Sequence, residues 1–269
     1  KIRASEGSRY TYLIIVTSRD ASADIVVGMN AGADDFISKP FVKEELAVRI
    51  RAGERILGFE SRELVIFSMA KLAESRDPDT GDHLERIRFY SKALAETIAR
   101  SNNPPQEMNR LFIDNIFLTS PLHDIGKIGI PDHVLLKQVR LNHDEFEVMK
   151  KHSNIGFEAL AQALEKYPEA EYLSMSAEIA LYHHEKFDGT GYPAGLSGTY
   201  IPLSARIVAL SDVYDALVSK RVYKEANTHK VAKAIITDGK GTHFDPMVVD
   251  AFLSCEEEFE EIGNSFRVY

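Results

Sequence analysis

The sequence predicts a mainly α-helical protein preceded by a short α/β segment, and three observations carry that reading. Residues 12–18 form a short continuous apolar run and 35–38 a second short strand, each followed by a helical pattern. Strand, helix, strand, helix in that order marks an α/β unit. From Arg76 onward, helical periodicity alternates with polar breaks, and no strand pattern of comparable quality recurs. The third observation is chemical. His123-Asp124 and His183-His184 set metal-ligand residues inside apolar helical patterns.

The first run, Tyr-Leu-Ile-Ile-Val-Thr-Ser, reads as a buried parallel strand because it is continuously apolar and ends in small hydroxyl residues. A helix follows through 23–29, closed by Asn30-Ala31-Gly32-Ala33. The second strand, 35–38, is stopped by Lys39-Pro40, and a helix is expected over 43–57. Beyond it Leu64, Ile66, Phe67, Met69, Ala70 and Leu72 make a wide apolar face, so the linker runs into the next domain's first helix. That face can be buried within the chain or can join a homodimer. The boundary is placed between 1–57 and 58–269. Further helices are expected at 82–101, 107–122, 144–165, 171–184, 204–219, 228–237 and 246–261. The breaks between them carry Asn-Asn-Pro-Pro at 102–105, Asp-Gly-Thr-Gly-Tyr-Pro at 188–193 and Gly-Lys-Gly at 239–241.

Composition limits the function classes. With 44% hydrophobic and 27% charged residues, the chain fits an ordinary soluble globular protein. No apolar run approaches the roughly 18–20 residues of a membrane span. The net charge of −9 argues against a nucleic-acid polymer as partner, which needs a basic surface. A small anionic ligand remains compatible with it, because local cations can outweigh the global sign. Cys255 is the sole cysteine, so no intrachain disulfide can form, and a reducing, cytoplasmic setting is expected. The acidic run at 256–261 reads as a solvated helix face.

The nine histidines divide by context. His133, His143, His229 and His243 lie in polar breaks or at helix edges and read as surface or structural residues. His83, His123, His152, His183 and His184 lie beside or within apolar segments. Five buried imidazoles would each need a buried partner, and a shared metal centre supplies one. Imidazole with carboxylate suits iron, manganese, nickel or zinc rather than calcium or magnesium. Adjacent histidines in a helix point about 100° apart, so His184 either shares the ion with His183 or faces solvent. Asp79 and His83 stand one helical turn apart and share an ion if the helix starts by Asp79.

These residues carry a resemblance. His123-Asp124 followed by Gly126-Lys127, and His183-His184 ahead of Asp188-Gly-Thr-Gly191-Tyr192-Pro193, resemble the HD-GYP group of the HD superfamily of metal-dependent phosphohydrolases. The match extends through 201–207, 212–217 and 241–246, about two thirds of the chain. The early segment resembles the C-terminal half of a response-regulator receiver domain. That likeness rests on Val16-Thr17-Ser18-Arg19-Asp20, 31–36 and Ser38-Lys39-Pro40-Phe41. The fold implied is an all-helical HD-type domain preceded by a truncated α/β receiver (flavodoxin-like) segment. Thr17 and Lys39 are the switch residues that this likeness implies. The half bearing the phospho-accepting aspartate is not in the sequence, so a longer parent is expected.

For the metal centre the resemblance implies one ion on His83, His123, Asp124 and Asp212. It implies a second on Asp124, His152, His183 and His184, with Asp124 bridging and a hydroxide between the ions as nucleophile. Iron or manganese is the expected metal, with nickel or zinc as alternatives. A third ion uses a glutamate where this chain has the shorter Asp79. The implied reaction opens cyclic di-GMP to the linear dinucleotide, and in some members proceeds to GMP. Lys127, Asp215, Arg221 and Lys224 match positions that contact substrate, Lys127 beside the catalytic Asp124. Tyr192, in a glycine-rich loop, faces either substrate or a partner such as a GGDEF-domain protein. An upstream histidine kinase is the partner implied for the complete receiver. The loop Gln138-Val139-Arg140 departs from the family's proline-glycine-lysine turn. The competing reading is therefore a catalytically weak, metal-bound cyclic di-GMP sensor or docking module.

Overall fold

The computed structural model describes residues 11–18, 22–75, 82–219 and 226–266. Two compact units divide the chain, Lys1–Val65 and Ile66–Tyr269.

In the first unit, β1 (Ile14–Thr17) and β2 (Asp35–Ser38) pair in parallel, with Ile14 opposite Asp35 and Thr17 opposite Ser38. Helix α1 (Ser22–Asn30) connects them, and Gly32 at φ 99° turns the chain back toward β2. Ile37 is buried, whereas Val26, Val27 and Met29 of α1 are exposed. The backbone N–H of Lys39 donates to the Thr17 carbonyl at 2.7 Å, so the two switch candidates stand together at the C-terminal end of the strands. Helix α2 (Lys43–Glu74) follows without a break. The helix expected to end at 57 thus continues, and neither Gly53 nor Gly58 interrupts it.

The second unit is helical. Its elements are α3 (His83–Ala99), α4 (Arg110–Thr119), α5 (Asp132–Leu135), α6 (His143–Lys166), α7 (Glu171–Tyr182), α8 (Leu203–Val218), α9 (His229–Asp238), α10 (Pro246–Ser254) and α11 (Glu256–Ser265). Side-chain caps fix several of these starts. Asn109 accepts from Phe112 N, Thr228 from Val231 N, and Asn142 forms a reciprocal capping box with Glu145. Helix α8 is buried nearly all round, and Tyr90, Tyr214, Phe252 and Phe259 pack ring on ring in the core, Tyr90 stacked on Phe259 and the others meeting edge-on or tilted. The expected helix 246–261 is two helices meeting at Cys255. In α11 Phe259 is fully buried beneath the acidic run, and Glu256 pairs with Lys233.

The larger departure lies at the metal-ligand dipeptides. The segment expected to continue a helix through 122 instead changes to 3₁₀ turns at Ser120–Leu122 and Ile125–Gly129. Pro121 has no N–H to donate to a continuing α-helical ladder. Gly126 lets the second turn press onto α6: a Cβ there would collide with the backbone of His152 and Gly156. Likewise α7 ends at Tyr182, so His183 is its C-cap residue and His184 lies beyond it. Neither dipeptide is inside a regular helix.

Candidate metal centre

Two groups of ligand atoms converge, each with its atoms within 4.8 Å of one another: Asp124, His152, His183 and His184, and beside them His83, His123 and Asp212. His83 comes from the start of α3, Asp212 from α8, His152 from α6, and the two dipeptides from the turns that end α4 and α7. Leaving the helix at Tyr182 lets both adjacent imidazoles turn inward, with ring centroids 4.0 Å apart. The solvent-facing alternative for His184 therefore does not occur.

Asp124 sits between the groups. Its Oδ1 is 3.3 Å from His152 Nε2 and 3.8 Å from His183 Nε2, while its Oδ2 is 3.3 Å from His123 Nε2. Asp212 Oδ1 lies 3.8 Å from His83 Nε2 and 3.9 Å from His123 Nε2. On the outer side His83, His123, His152 and His183 are each held by an acceptor. His123 Nδ1 donates to the Ser120 carbonyl at 2.9 Å, His152 Nδ1 to the Met149 carbonyl at 2.7 Å and His183 Nδ1 to the Ile179 carbonyl at 2.9 Å. His83 Nδ1 meets Asp215 Oδ2 at 2.7 Å. Fixing Nδ1 as the donor leaves the Nε2 lone pair for a cation, as is usual for metal-binding histidines.

The inner atoms fit that reading. His123 Nε2, His183 Nε2 and Asp124 Oδ1 are buried and have no hydrogen-bond partner. Buried polar atoms left unpaired are costly, and a cation between these atoms removes the cost.

The electrostatics divide the imidazoles. Burial opposes charge on His123, but the facing carboxylates of Asp124 and Asp212 outweigh it and carry the imidazole up to about 9. Burial, reinforced by the charge of His123, drives His183 down to about 3, and burial also lowers His152 and His184. Asp124 is held well below the carboxylate range: burial works against this, and Lys127 and His123 overcome it. Lys127 Nζ stands 2.8 Å from Asp124 Oδ2.

Asp215 is fully buried. Its carboxylate is taken up by His83 and by Arg86, whose Nε lies at 2.5 Å and Nη2 at 2.9 Å. Burial opposes its charge, but the hydrogen bonds from His83 and Arg86 outweigh it and bring Asp215 down to about 2. Tyr192 stacks on His184, centroids 4.8 Å apart, and lines the same cavity of about 270 Å³ with Lys127, Asp124, His152 and Asp212. Burial, with the charges of Asp124 and Asp212, raises its phenol. Asp79, Arg221 and Lys224 lie outside the described residues.

Two residues escaped the sequence reading. Arg86, one turn beyond His83, braces Asp215 and also donates to Ser219 Oγ at 3.0 Å. Glu185 accepts from the N–H groups of Ala194 and Gly195 at 2.7 and 3.0 Å, tying down the loop that carries Tyr192. Its place directly after His183-His184 was the available signal. Gly191 passes so close to the Glu185 and Lys186 backbone that a Cβ would not fit.

Comparison with known proteins agrees with this geometry. The HD domain family matches residues 68–248. A cyclic di-GMP phosphodiesterase of Vibrio cholerae is 52% identical over 207 residues, covering 77% of this chain and 42% of that protein. The cyclic di-GMP phosphodiesterase response regulator RpfG of Xanthomonas campestris is 36% identical over 289 residues, covering 99% of this chain and 73% of that protein. A 3'3'-cGAMP-specific phosphodiesterase of V. cholerae is 38% identical over 205 residues, covering 76% of this chain and 37% of that protein. This chain thus spans from about two fifths to three quarters of these cyclic di-GMP relatives. Among solved structures, a cyclic GMP-AMP phosphodiesterase of V. cholerae has a TM-score of 0.53 at 18% identity, over 77% of this chain and 51% of that one, a likeness of fold. With its ordered histidines and aspartates gathered in an all-helical unit, the chain belongs to the HD domain family, within its HD-GYP group.

Proposed function

We propose that the chain is a metal-dependent phosphodiesterase that opens cyclic di-GMP to the linear dinucleotide. The observation that carries this reading is Asp124, whose two carboxylate oxygens face two separate histidine groups. Such a carboxylate suits a bridge between two divalent cations, iron or manganese by the donor set, with nickel or zinc also accommodated. When bound, the cations neutralise the phosphodiester and make water a competent nucleophile near neutral pH.

The chain's own residues do the rest. His83, His123 and Asp212 hold one position, His152, His183 and His184 the other. Lys127, beside the bridging carboxylate, is in reach of a non-bridging phosphate oxygen and stabilises charge there. Tyr192, braced by Glu185, forms a cavity wall against which a sugar or base packs. Asp215, held by Arg86, keeps His83 oriented. Arg221 and Lys224 are assigned to phosphate and guanine on the family likeness, and Asp79 to a third ion on the same ground.

Relatives named for cyclic di-GMP include matches at 52% and 36% identity, and those named for 3'3'-cGAMP matches at 38% and 32%. We assign cyclic di-GMP on the fuller coverage of the chain by the first kind. Residues 1–57 are read as part of a receiver answering to a histidine kinase, with Thr17 and Lys39 as its switch pair. GGDEF-domain proteins are assigned to the Gly-Tyr-Pro loop. A homodimer is assigned to α2, where Leu64, Val65, Met69 and Leu72 are exposed. No helix of the described residues is long and apolar enough to cross a membrane. A cytoplasmic setting rests on the single cysteine.

The test is an anaerobic turnover assay of protein loaded with ferrous or manganous ion, offered cyclic di-GMP and 3'3'-cGAMP in parallel. Linear product from cyclic di-GMP at the higher kcat/KM supports the assignment. Tight binding by fully metallated protein without product would replace the enzyme with a sensor.

A further inference from the structure

The orphaned atoms of the cavity point to a residue outside the ligand set already described. Among the described residues that line it, two carry a buried side-chain oxygen with no hydrogen-bond partner: Asp124 and Glu74. Asp124 Oδ1 is accounted for by the metal centre, as are the similarly orphaned His123 and His183 Nε2 atoms. Glu74 Oε1 has no such account. The Glu74 side chain is only 10% exposed, and its other oxygen, Oε2, lies 3.3 Å from Lys71 Nζ. Burying a carboxylate with one oxygen unsatisfied is costly.

His83 and His123 are the imidazoles whose charges bear on Glu74, and both belong to the same half of the centre. Apart from the bridging Asp124 that half holds three ligand residues, His83, His123 and Asp212, of which one is a carboxylate. Glu74 lines the same cavity as His83, Asp124 and Asp212.

We infer that Glu74 belongs to the metal centre, its Oε1 serving the His83-side position as an additional carboxylate toward a divalent cation and its water. The inference rests on the dinuclear reading above and adds a residue to it. A cavity-lining oxygen, with a lysine neutralising its neighbour, is suited to accept a hydrogen bond from water in the cation's shell. It also adds negative charge to a position already served by Asp212 and the bridging Asp124.

The experiment is a calorimetric titration of the metal-free full chain with Mn²⁺, with bound metal counted by mass spectrometry. Wild type, Glu74→Gln, His83→Asn and the double variant are compared. Glutamine keeps the shape and an acceptor for Lys71, so thermal melts of metal-free protein should coincide. The expected result is two sites in wild type, with one of them weakened about 10- to 100-fold in Glu74→Gln. In the His83→Asn background the Glu74 substitution should add nothing further. A Glu74→Gln titration superimposable on wild type, or one in which both sites weaken equally, would overturn the role of Glu74 and leave the dinuclear centre standing. A wild-type chain that binds no Mn²⁺ would remove the centre itself and this inference with it.

Discussion

Asp215 Oδ2 accepts a hydrogen bond from His83 Nδ1 at 2.7 Å, while Arg86 donates to both oxygens of the same carboxylate. The contact joins stability to metal binding. Asp215 is brought from an ordinary 3.8 to about 2, so its folded pKa is depressed. A depressed carboxylate stabilises the fold above its unfolded pKa, and that contribution is lost as pH falls through the folded value. The window is therefore about pH 4 down to 2, and the contribution is about 2 kcal/mol. Asp215→Asn should lose that amount in urea unfolding of metal-free protein at pH 7 and flatten the acid limb. It should also weaken metal at the His83 side about 10- to 100-fold, the usual loss when a ligand's outer partner is removed. An Asp215→Asn variant with full metal affinity would detach this carboxylate from the centre.

Metal uptake should release a proton from His123. In the metal-free chain this imidazole titrates at about 9 and is charged at pH 7.5, while His152, His183 and His184 are shifted down and already neutral. A raised histidine stabilises the metal-free fold fully below the unfolded value of roughly 6.5 and ceases to do so as pH rises through about 9. Binding requires the neutral ring. Calorimetry at pH 7.5 in two buffers of different ionisation enthalpy should give close to one proton released by His123, against about a tenth for an unshifted imidazole. Replacing His123 by asparagine should remove that proton. Release unchanged in the variant would assign it elsewhere.

Asp124→Ala should empty both metal positions and abolish turnover, because this one carboxylate faces both histidine groups. Lys127→Met, by contrast, should keep both ions and lower kcat by about 10²- to 10³-fold, the loss expected when one charge-stabilising group is removed. Metal counts on the two purified variants separate a holding role from a chemical one. Two ions retained in Asp124→Ala would mean that the bridge is wrongly assigned.

Much of this was legible because ligand chemistry survives in sequence as residue type. His83, His152 and Asp212 stood in helical patterns that the structure reproduces within a few residues, and the centre assembles where those helices cross. The local conformation at the two dipeptides was not legible. Apolar periodicity continues across His123-Asp124 and His183-His184, but Pro121, Gly126 and the close passage of Gly191 over Glu185 break the helices there. Periodicity reports which face is buried and says nothing about backbones that touch. Arg86 and Glu74 were missed for a related reason. A charged residue on an amphipathic helix reads as solvated surface until another element covers it, and both are covered by parts of the chain distant in sequence.

The contact at Gly126 can be tested against a neighbour that looks alike in sequence. A Cβ on Gly126 would strike the carbonyl oxygen of His152 and stand 2.5 Å from Gly156 N, both in the backbone of α6. A Cβ on Gly129 would meet the Ile155 side chain at 2.9 Å, and a side-chain methyl can rotate away. Gly126→Ala must therefore push the turn carrying Asp124 away from the helix carrying His152. It should cost at least the roughly 1–3 kcal/mol of an overpacked core. It should also loosen the ion held between Asp124 and His152, whose facing atoms are 3.3 Å apart. Gly129→Ala should cost under about 1.5 kcal/mol and keep both ions. Thermal melts with parallel Mn²⁺ titrations decide the matter. Equal effects of the two substitutions would mean that α6 yields as readily as a side chain, and that Gly126 is not what fixes the spacing of the bridge.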